Sequence, residues 1–105
     1  MTQFQIFHNP NPQTKKTYPF LLDIQTPLLD SMDTKLVVPL SGLATIKEKR
    51  IKEINPLFVI NGKELVILTQ QMASIHKKDI GSFVCDASFL RQEILSAIDF
   101  LITGF

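Results

Sequence analysis

The sequence predicts a mainly β protein of the α+β class, a small barrel or antiparallel sheet on which one C-terminal α-helix packs. Short apolar or alternating segments, separated by prolines and polar turns, occupy most of the chain. Only the last segment, from Leu90 onward, repeats its apolar residues at helical spacing. The length of 105 residues fits a single domain, residues 1–105, with one core.

Three strands are expected in the first half of the chain. The first alternates polar Gln3 and Gln5 with apolar Phe4 and Ile6, which is the period of a half-buried strand. The second is rich in aromatic and aliphatic residues, and the third is an apolar run that contains a proline. These strands are residues 3–8, 18–25 and 35–40, joined by a polar loop at 9–16 and a turn at 26–33.

A β-hairpin is predicted at Asn61-Gly62, which lies between the apolar runs 57–60 and 65–68. Both central positions of a type I′ turn need a positive φ, and Asn-Gly provides it. Because both strands are apolar on both faces, each face needs a cover, from the rest of the domain and from a helix or a partner chain. The charged segment 46–54 before the hairpin is either a loop or a short helix.

The C-terminal segment predicts an amphipathic helix. The side chain of Asp86 or Ser88 is expected to cap the start of the helix by accepting a hydrogen bond from a backbone N–H. Gly104 is expected to end the helix. Its apolar residues recur at the spacing of one helix face, while its charged residues lie largely on the other. The apolar residues are Leu90, Ile94, Ala97, Ile98, Leu101, Ile102 and Phe105.

Composition excludes several classes of function. The formal net charge is +1, so direct nucleic-acid binding by this chain alone is not expected. A single Cys cannot form an internal disulfide and suits a reducing compartment. The N-terminus has no secretory pattern, and no apolar run approaches the roughly 20 residues of a membrane span. We therefore expect a cytoplasmic protein without a membrane partner.

Catalytic and metal-binding patterns are weak. The histidines, His8 and His76, lack the spacing of a zinc site, so no metal and no cofactor are expected. Cys85 with His76 is a conceivable nucleophile pair, but its apolar setting favours a buried small hydrophobe. Asp23 and Asp30 are a conceivable acid–base pair, but a solvated turn with a local hydrogen bond is favoured.

Four segments, in order, resemble the CcdB toxins of toxin–antitoxin modules. The resemblance spans nearly the whole chain and is weakest at 9–16 and 44–53. No single segment is diagnostic, but their order, spacing and shared C-terminus together are specific. The segments are Phe-Leu-Leu-Asp-Ile-Gln-Thr-Pro-Leu-Leu-Asp at 20–30, Lys-Leu-Val-Val-Pro-Leu at 35–40, Met-Ala-Ser-Ile at 72–75, and the helix from Ile94 to Gly-Phe at 104–105.

The resemblance implies a homodimer of src-homology-like β-barrels with a C-terminal helix and no catalytic site. It also implies the partners. Members of this family bind the A subunit of DNA gyrase, trap its cleaved-DNA complex and so block replication. A CcdA antitoxin neutralises them through a disordered tail that folds on the toxin.

The resemblance further implies a gyrase-binding surface at the dimer axis. The matching positions are Asp99, Thr103, Gly104 and Phe105 at the helix end, and Thr26 and Leu28 in the turn after the second strand. The best-known members carry Trp at the position of Thr103. Here Phe100 and Phe105 take over the aromatic contact, or the binding mode shifts, or gyrase poisoning is weaker.

Two other functions are considered. A MazF-type endoribonuclease shares this general fold but needs a basic cluster with an acid, such as Arg50 with Asp23 or Glu53. The chain has only two arginines, Arg50 and Arg91, which argues against it. The other is a regulatory dimer that has lost toxicity.

Overall fold

A seven-stranded antiparallel sheet, curled into a half-barrel, and a C-terminal helix make up the fold. The structure is a computed structural model and describes residues 2–104. The predicted mainly β fold with one C-terminal helix is confirmed. The elements are β1 Gln5–His8, β2 Phe20–Asp23, β3 Thr34–Gly42, α1 Leu43–Ile46, β4 Leu57–Ile60, β5 Lys63–Ile67, β6 Ala73–His76, β7 Phe83–Asp86 and α2 Arg91–Thr103.

Strand β3 organises the sheet because its nine residues serve three neighbours. Along one edge it pairs with β2, from Phe20 opposite Leu40 to Asp23 opposite Val37. Along the other edge its first half pairs with β6 and its second half with β5. The strand order is β4-β5-β3-β2-β1-β7, with β6 beside β3. The end of β2 and the start of β3 therefore lie side by side, and the turn at 26–33 joins them.

The first strand is shorter than predicted. Phe4 has a φ of 68°, which a β-strand does not accommodate, so β1 begins only at Gln5. The ring of Phe4 is buried in the core, and its N–H donates to the carbonyl of Asp23 at 2.6 Å. The alternating pattern placed Phe4 on the correct face but did not reveal this backbone conformation.

The Asn61-Gly62 hairpin is confirmed. Asn61 has a φ of 51° and Gly62 a φ of 77°, as a type I′ turn requires. The prediction that both strands are covered on both faces is half right. In β5 the apolar residues 65–67 are buried, but Val59 of β4 is 57% exposed. The reason is that Val59 points to the opposite face from its buried neighbours Phe58 and Ile60, and this outward face is uncovered there.

The core lies between the concave sheet and the first half of α2. Ile94 and Ala97 are the residues of α2 that are buried, and the helix also contacts the turn Thr69–Gln71. Leu101 and Ile102 were predicted on the buried face, but they are 37% and 74% exposed. The core cluster comprises Phe4, Ile6, Leu22, Val38, Leu40, Phe58, Ile60, Leu65, Ile67, Ala87 and Ile94.

The two ends of α2 differ from each other. Its start was predicted to be capped by Asp86 or Ser88, and this is wrong. Ser88 Oγ donates to Asp86 Oδ2 at 2.5 Å, and a 3₁₀ turn, Ser88–Leu90, precedes the helix without a side-chain cap. The predicted end is confirmed: Gly104 adopts a φ of 79°, and its N–H donates to the Phe100 carbonyl at 2.8 Å.

Candidate functional site

The turn at residues 26–33 presents apolar side chains to solvent. It contains a 3₁₀ helix, Pro27–Leu29, in which proline provides the φ of the first position. Thr26 Oγ1 accepts a hydrogen bond from the Leu28 N–H at 3.4 Å, so Thr26 caps this helix. Leu28 is 90% exposed, and Leu29 and Met32 are each 45% exposed.

A buried ion-pair cluster supports this turn. Lys35, at the start of β3, is 1% exposed, and its Nζ lies 3.3 Å from Asp23 Oδ2 and 2.7 Å from Asp30 Oδ1. Asp23 is fully buried at the end of β2, whereas about half of the Asp30 side chain faces solvent. The favoured prediction of a solvated turn with a local hydrogen bond is therefore wrong for Asp23 in its solvation, but the local bond is present, since the Gln25 N–H donates to Asp23 Oδ1 at 2.9 Å. The spacing of the two acids along the chain could not show that Lys35 of the neighbouring strand lies between them.

The electrostatics of this cluster favour the charged forms. The hydrogen bond from Lys35 holds the pKa of Asp30 below its ordinary value. Burial alone would lower the pKa of Lys35, but the hydrogen bond to Asp30 and the charge of Asp23 outweigh it, so the pKa of Lys35 is raised. The ammonium group therefore stays charged in the interior because carboxylates replace its lost hydration.

Gln25 provides a second support from below the turn. Its buried side chain donates from Nε2 to the carbonyls of Thr34 at 3.2 Å and Leu29 at 3.4 Å. Its Oε1 accepts a hydrogen bond from the Leu36 N–H at 3.1 Å. One amide side chain thus connects the middle of the turn to β3.

Lys77 provides a third support from the segment after β6. Its Nζ donates to the carbonyl of Asp30, and its N–H donates to the carbonyl of Asp33 at 2.9 Å. Sequence reasoning identified Thr26 and Leu28 in this turn but missed Gln25, Lys35 and Lys77. The one signal, which concerns Lys35 alone, was an acid near the end of one predicted strand and a lysine at the start of the next.

The end of α2 is the second predicted surface. Asp99, Thr103 and Gly104 are all exposed, and Thr103 Oγ1 donates to the Asp99 carbonyl at 2.8 Å. A Cβ built on Gly104 meets nothing within 4 Å, so this backbone faces open space. Ile102 is 74% exposed beside it. Phe105 was predicted at this surface and lies outside the described residues.

The two surfaces are supported separately within one chain. The turn at 26–33 is held by Lys35 and Gln25 beneath it and by Lys77 beside it. The helix is held by the core and by the turn Thr69–Gln71. The structure thus gathers Thr26 with Leu28, and Asp99 with Thr103 and Gly104, into two groups.

The catalytic alternatives find little support. Cys85 packs against the core, and burial, together with the charge of Asp86, raises the pKa of its thiol, which disfavours the nucleophilic thiolate. Cys85 is paired with Ile6 of β1, whereas His76 is paired with Thr34 of β3. Within residues 2–104, no group of three or more His, Cys, Asp or Glu side chains is arranged to hold a metal ion.

Of the two acids considered with Arg50 for a ribonuclease, Asp23 is not available to it. Asp23 is buried against Lys35, while the Arg50 Nε donates to the Asn55 carbonyl at 2.9 Å. Arg50 and Glu53 do line one groove of about 510 Å³, between the segment before β4 and the first half of α2. Their pairing with Asp23 is excluded by its burial.

A family model described as CcdB protein matches residues 3–104, nearly the whole chain. The chain therefore belongs to the CcdB family, the toxins of toxin–antitoxin modules, as its segments predicted. None of the helices in the described part of the chain is long and apolar enough to cross a membrane.

Proposed function

We propose that this CcdB-family toxin binds the A subunit of DNA gyrase, traps the gyrase–DNA cleavage complex and so blocks replication, without chemistry of its own. The observation that supports this proposal most directly is the exposure of Leu28. Its side chain is 90% exposed on the turn at 26–33, and a buried ion-pair cluster lies beneath that turn. An apolar side chain in that position gains by entering a pocket on another protein.

The contact surface comprises the two groups of residues. Leu28 and Thr26 contribute from the turn, and Asp99, Thr103, Gly104 and Phe105 from the helix end. Rigid support lowers the conformational entropy lost on binding, because backbone and side-chain ordering has largely taken place before the encounter. The exposed Ile102 supplies apolar area at the helix end where better-known members have Trp.

The toxin acts as a homodimer in the cytoplasm, where gyrase is found. A two-fold axis near the helix ends joins the surfaces of two copies into one larger surface. A CcdA-like antitoxin neutralises the toxin through a disordered tail that folds on it, which requires an extended groove to offset the ordering of the tail. The exposed apolar residues on the turn and at the helix end support both the dimer and the antitoxin complex, because a partner chain would cover them.

The test is a gyrase cleavage assay on supercoiled plasmid, combined with binding to a gyrase A fragment. With the wild-type protein present, linear DNA is expected to accumulate once the gyrase–DNA complex is denatured. Leu28→Asp and Ile102→Asp are each expected to weaken binding by about tenfold or more, as a buried anchor residue does. Val59→Asp, an exposed apolar residue on the edge strand β4, is the matched control and should bind as the wild type does.

Several outcomes would replace this proposal. No cleavage complex and no binding by the wild-type protein would refute it. Cleavage of RNA by the purified protein would favour the endoribonuclease. Harmless expression in cells without an antitoxin, with tight antitoxin binding, would favour the non-toxic regulatory dimer.

A further inference from the structure

Lys35 is an unusual residue for the interior of a small protein. It is 1% exposed, belongs to the largest fully buried side chains and is followed in β3 by the apolar run 36–40. Lys is almost never fully buried unless it is paired. A buried ion pair is weak evidence for stability, because apolar residues of similar volume often stabilise as much. Core packing alone therefore does not explain why a lysine occupies position 35.

The position of Lys35 couples the sheet to the turn. Its Nζ contacts Asp23, which is fixed at the end of β2, and Asp30, which lies in the turn. Asp30 in turn donates its N–H to the Pro27 carbonyl at 3.1 Å and closes the 3₁₀ helix that carries Leu28. The Lys35 ammonium group thus links this helix to the sheet, in addition to the Gln25 amide, which donates to the Leu29 carbonyl.

The position of the Leu28 side chain depends on this link more than the position of a buried side chain would. Because this side chain is 90% exposed, packing within the chain contributes little to its position. Its placement follows from the backbone of Pro27–Leu29 alone. If the turn were free to move, a partner would have to order it on binding, and the apparent affinity would fall with the competent fraction.

We propose that Lys35 is a positioning residue for gyrase binding: through Asp23 and Asp30 it holds the turn at 26–33 in the conformation that presents Leu28. This inference rests on the proposed function. Lys35 itself touches no partner, since it is buried beneath the turn. Its contribution should therefore appear in affinity and in the mobility of the turn, without any change in the contact residues.

The experiment compares variants that keep the fold. Asp30→Asn removes the half-exposed carboxylate, and the double variant Asp23→Asn/Lys35→Met removes both buried charges together. Both are expected to stay folded, to bind the gyrase A fragment about tenfold more weakly and to exchange the amides of 26–33 faster. Lys35→Arg keeps a positive charge at this place, because a guanidinium group is always charged, and should bind more tightly than the double variant does.

The matched control is Asp33→Asn, an exposed carboxylate at the far end of the same turn, which should change neither readout. Folded Asp30→Asn and double variants that bind as tightly as the wild type would overturn the role of Lys35. If instead the wild-type protein does not bind gyrase, the proposed function itself fails, so the two failures are distinguishable. Slower or unchanged amide exchange at 26–33 in folded variants would also contradict the proposal.

Discussion

The turn at 26–33 and the end of α2 both display apolar side chains, but they are held by different physical means. Beneath the turn are charged and amide groups: Lys35 between two carboxylates, and Gln25 bonded to turn carbonyls. The helix is anchored by apolar burial of Ile94 and Ala97, several residues before its exposed end.

This difference teaches which kind of support each segment can use. A helix satisfies its own backbone groups, so a strip of apolar contacts is enough to fix it. A turn leaves carbonyls and N–H groups without regular partners, so polar side chains from below must provide them. Substitutions that remove only one of the two kinds of support should therefore affect the turn and the helix differently.

The largest effect is expected for Lys35→Ala. This change leaves Asp23 buried without a counter-charge, and breaking a buried pair costs about 3–5 kcal/mol of unfolding free energy. Urea unfolding followed by circular dichroism measures it. The double variant Asp23→Asn/Lys35→Met should lose clearly less. Equal losses in the two would mean that the uncompensated charge of Asp23 is not the cause of the loss in Lys35→Ala.

A slightly smaller effect is expected for Ile94→Ala. Ile94 is fully buried against the sheet, and truncating a buried Ile to Ala costs roughly 2–4 kcal/mol through lost apolar burial and a cavity. The adjacent Leu95, which is 37% exposed, is the control, and Leu95→Ala should lose much less. A similar loss for both in urea unfolding would argue that α2 is not held mainly by its buried face.

A local effect is expected for Gly104→Ala. Gly104 has a φ of 79°, and a residue with a side chain adopts this conformation at a conformational cost of about 1 kcal/mol. A Cβ would meet no steric clash there, so this cost is the expected effect of the substitution. The last turn of α2 should fray, seen as faster amide exchange near the helix end. Gly104→Asn should have a smaller effect, because Asn tolerates this region better than Ala. Exchange in Gly104→Ala that is as slow as in the wild type would show that this conformation is not what ends the helix.

The smallest effect is the acid dependence of the turn. Because the pKa of Asp30 is lowered by Lys35, its stabilisation is present above the ordinary value of 3.8 and is lost as the pH falls through the lower folded value. Unfolding of the wild type and Asp30→Asn should therefore differ at pH 6 and converge as the pH falls below 3.8. A difference that stays constant across this range would show that the charge of Asp30 does not contribute.

Features defined by local geometry could be predicted from the sequence. The Asn61-Gly62 turn and the stop at Gly104 were both correct, because Gly, and to a lesser extent Asn, adopts a positive φ at low cost. The cap at Asp86 or Ser88 was wrong although the residue types were suitable, since the two side chains bond to each other. A local preference therefore fails where a second local partner competes for the same group.

For the candidate site, the sequence placed Thr26 and Leu28 in an exposed turn but did not show what supports them. Lys35 looks like an ordinary strand-end lysine in the sequence, and only the pairing of β2 with β3 buries it next to Asp23. Similarly, the helical spacing of Ile102 is the same as that of Ile94, but the first is exposed and the second buried. Spacing defines a face, and burial depends on what lies opposite it.

The sequence by itself determined the approximate positions of the first five strands and of the C-terminal helix, the hairpin turn, the end of α2 and the family of the chain. These follow from residue types and short spacings, which act within a few residues. Only the tertiary structure decided that Asp23 and Lys35 are buried, that Val59 is at an edge and that Ile102 faces solvent. The physical reason is that burial is a property of distant chain segments brought together, because each apolar or charged group responds to the neighbours that replace its water.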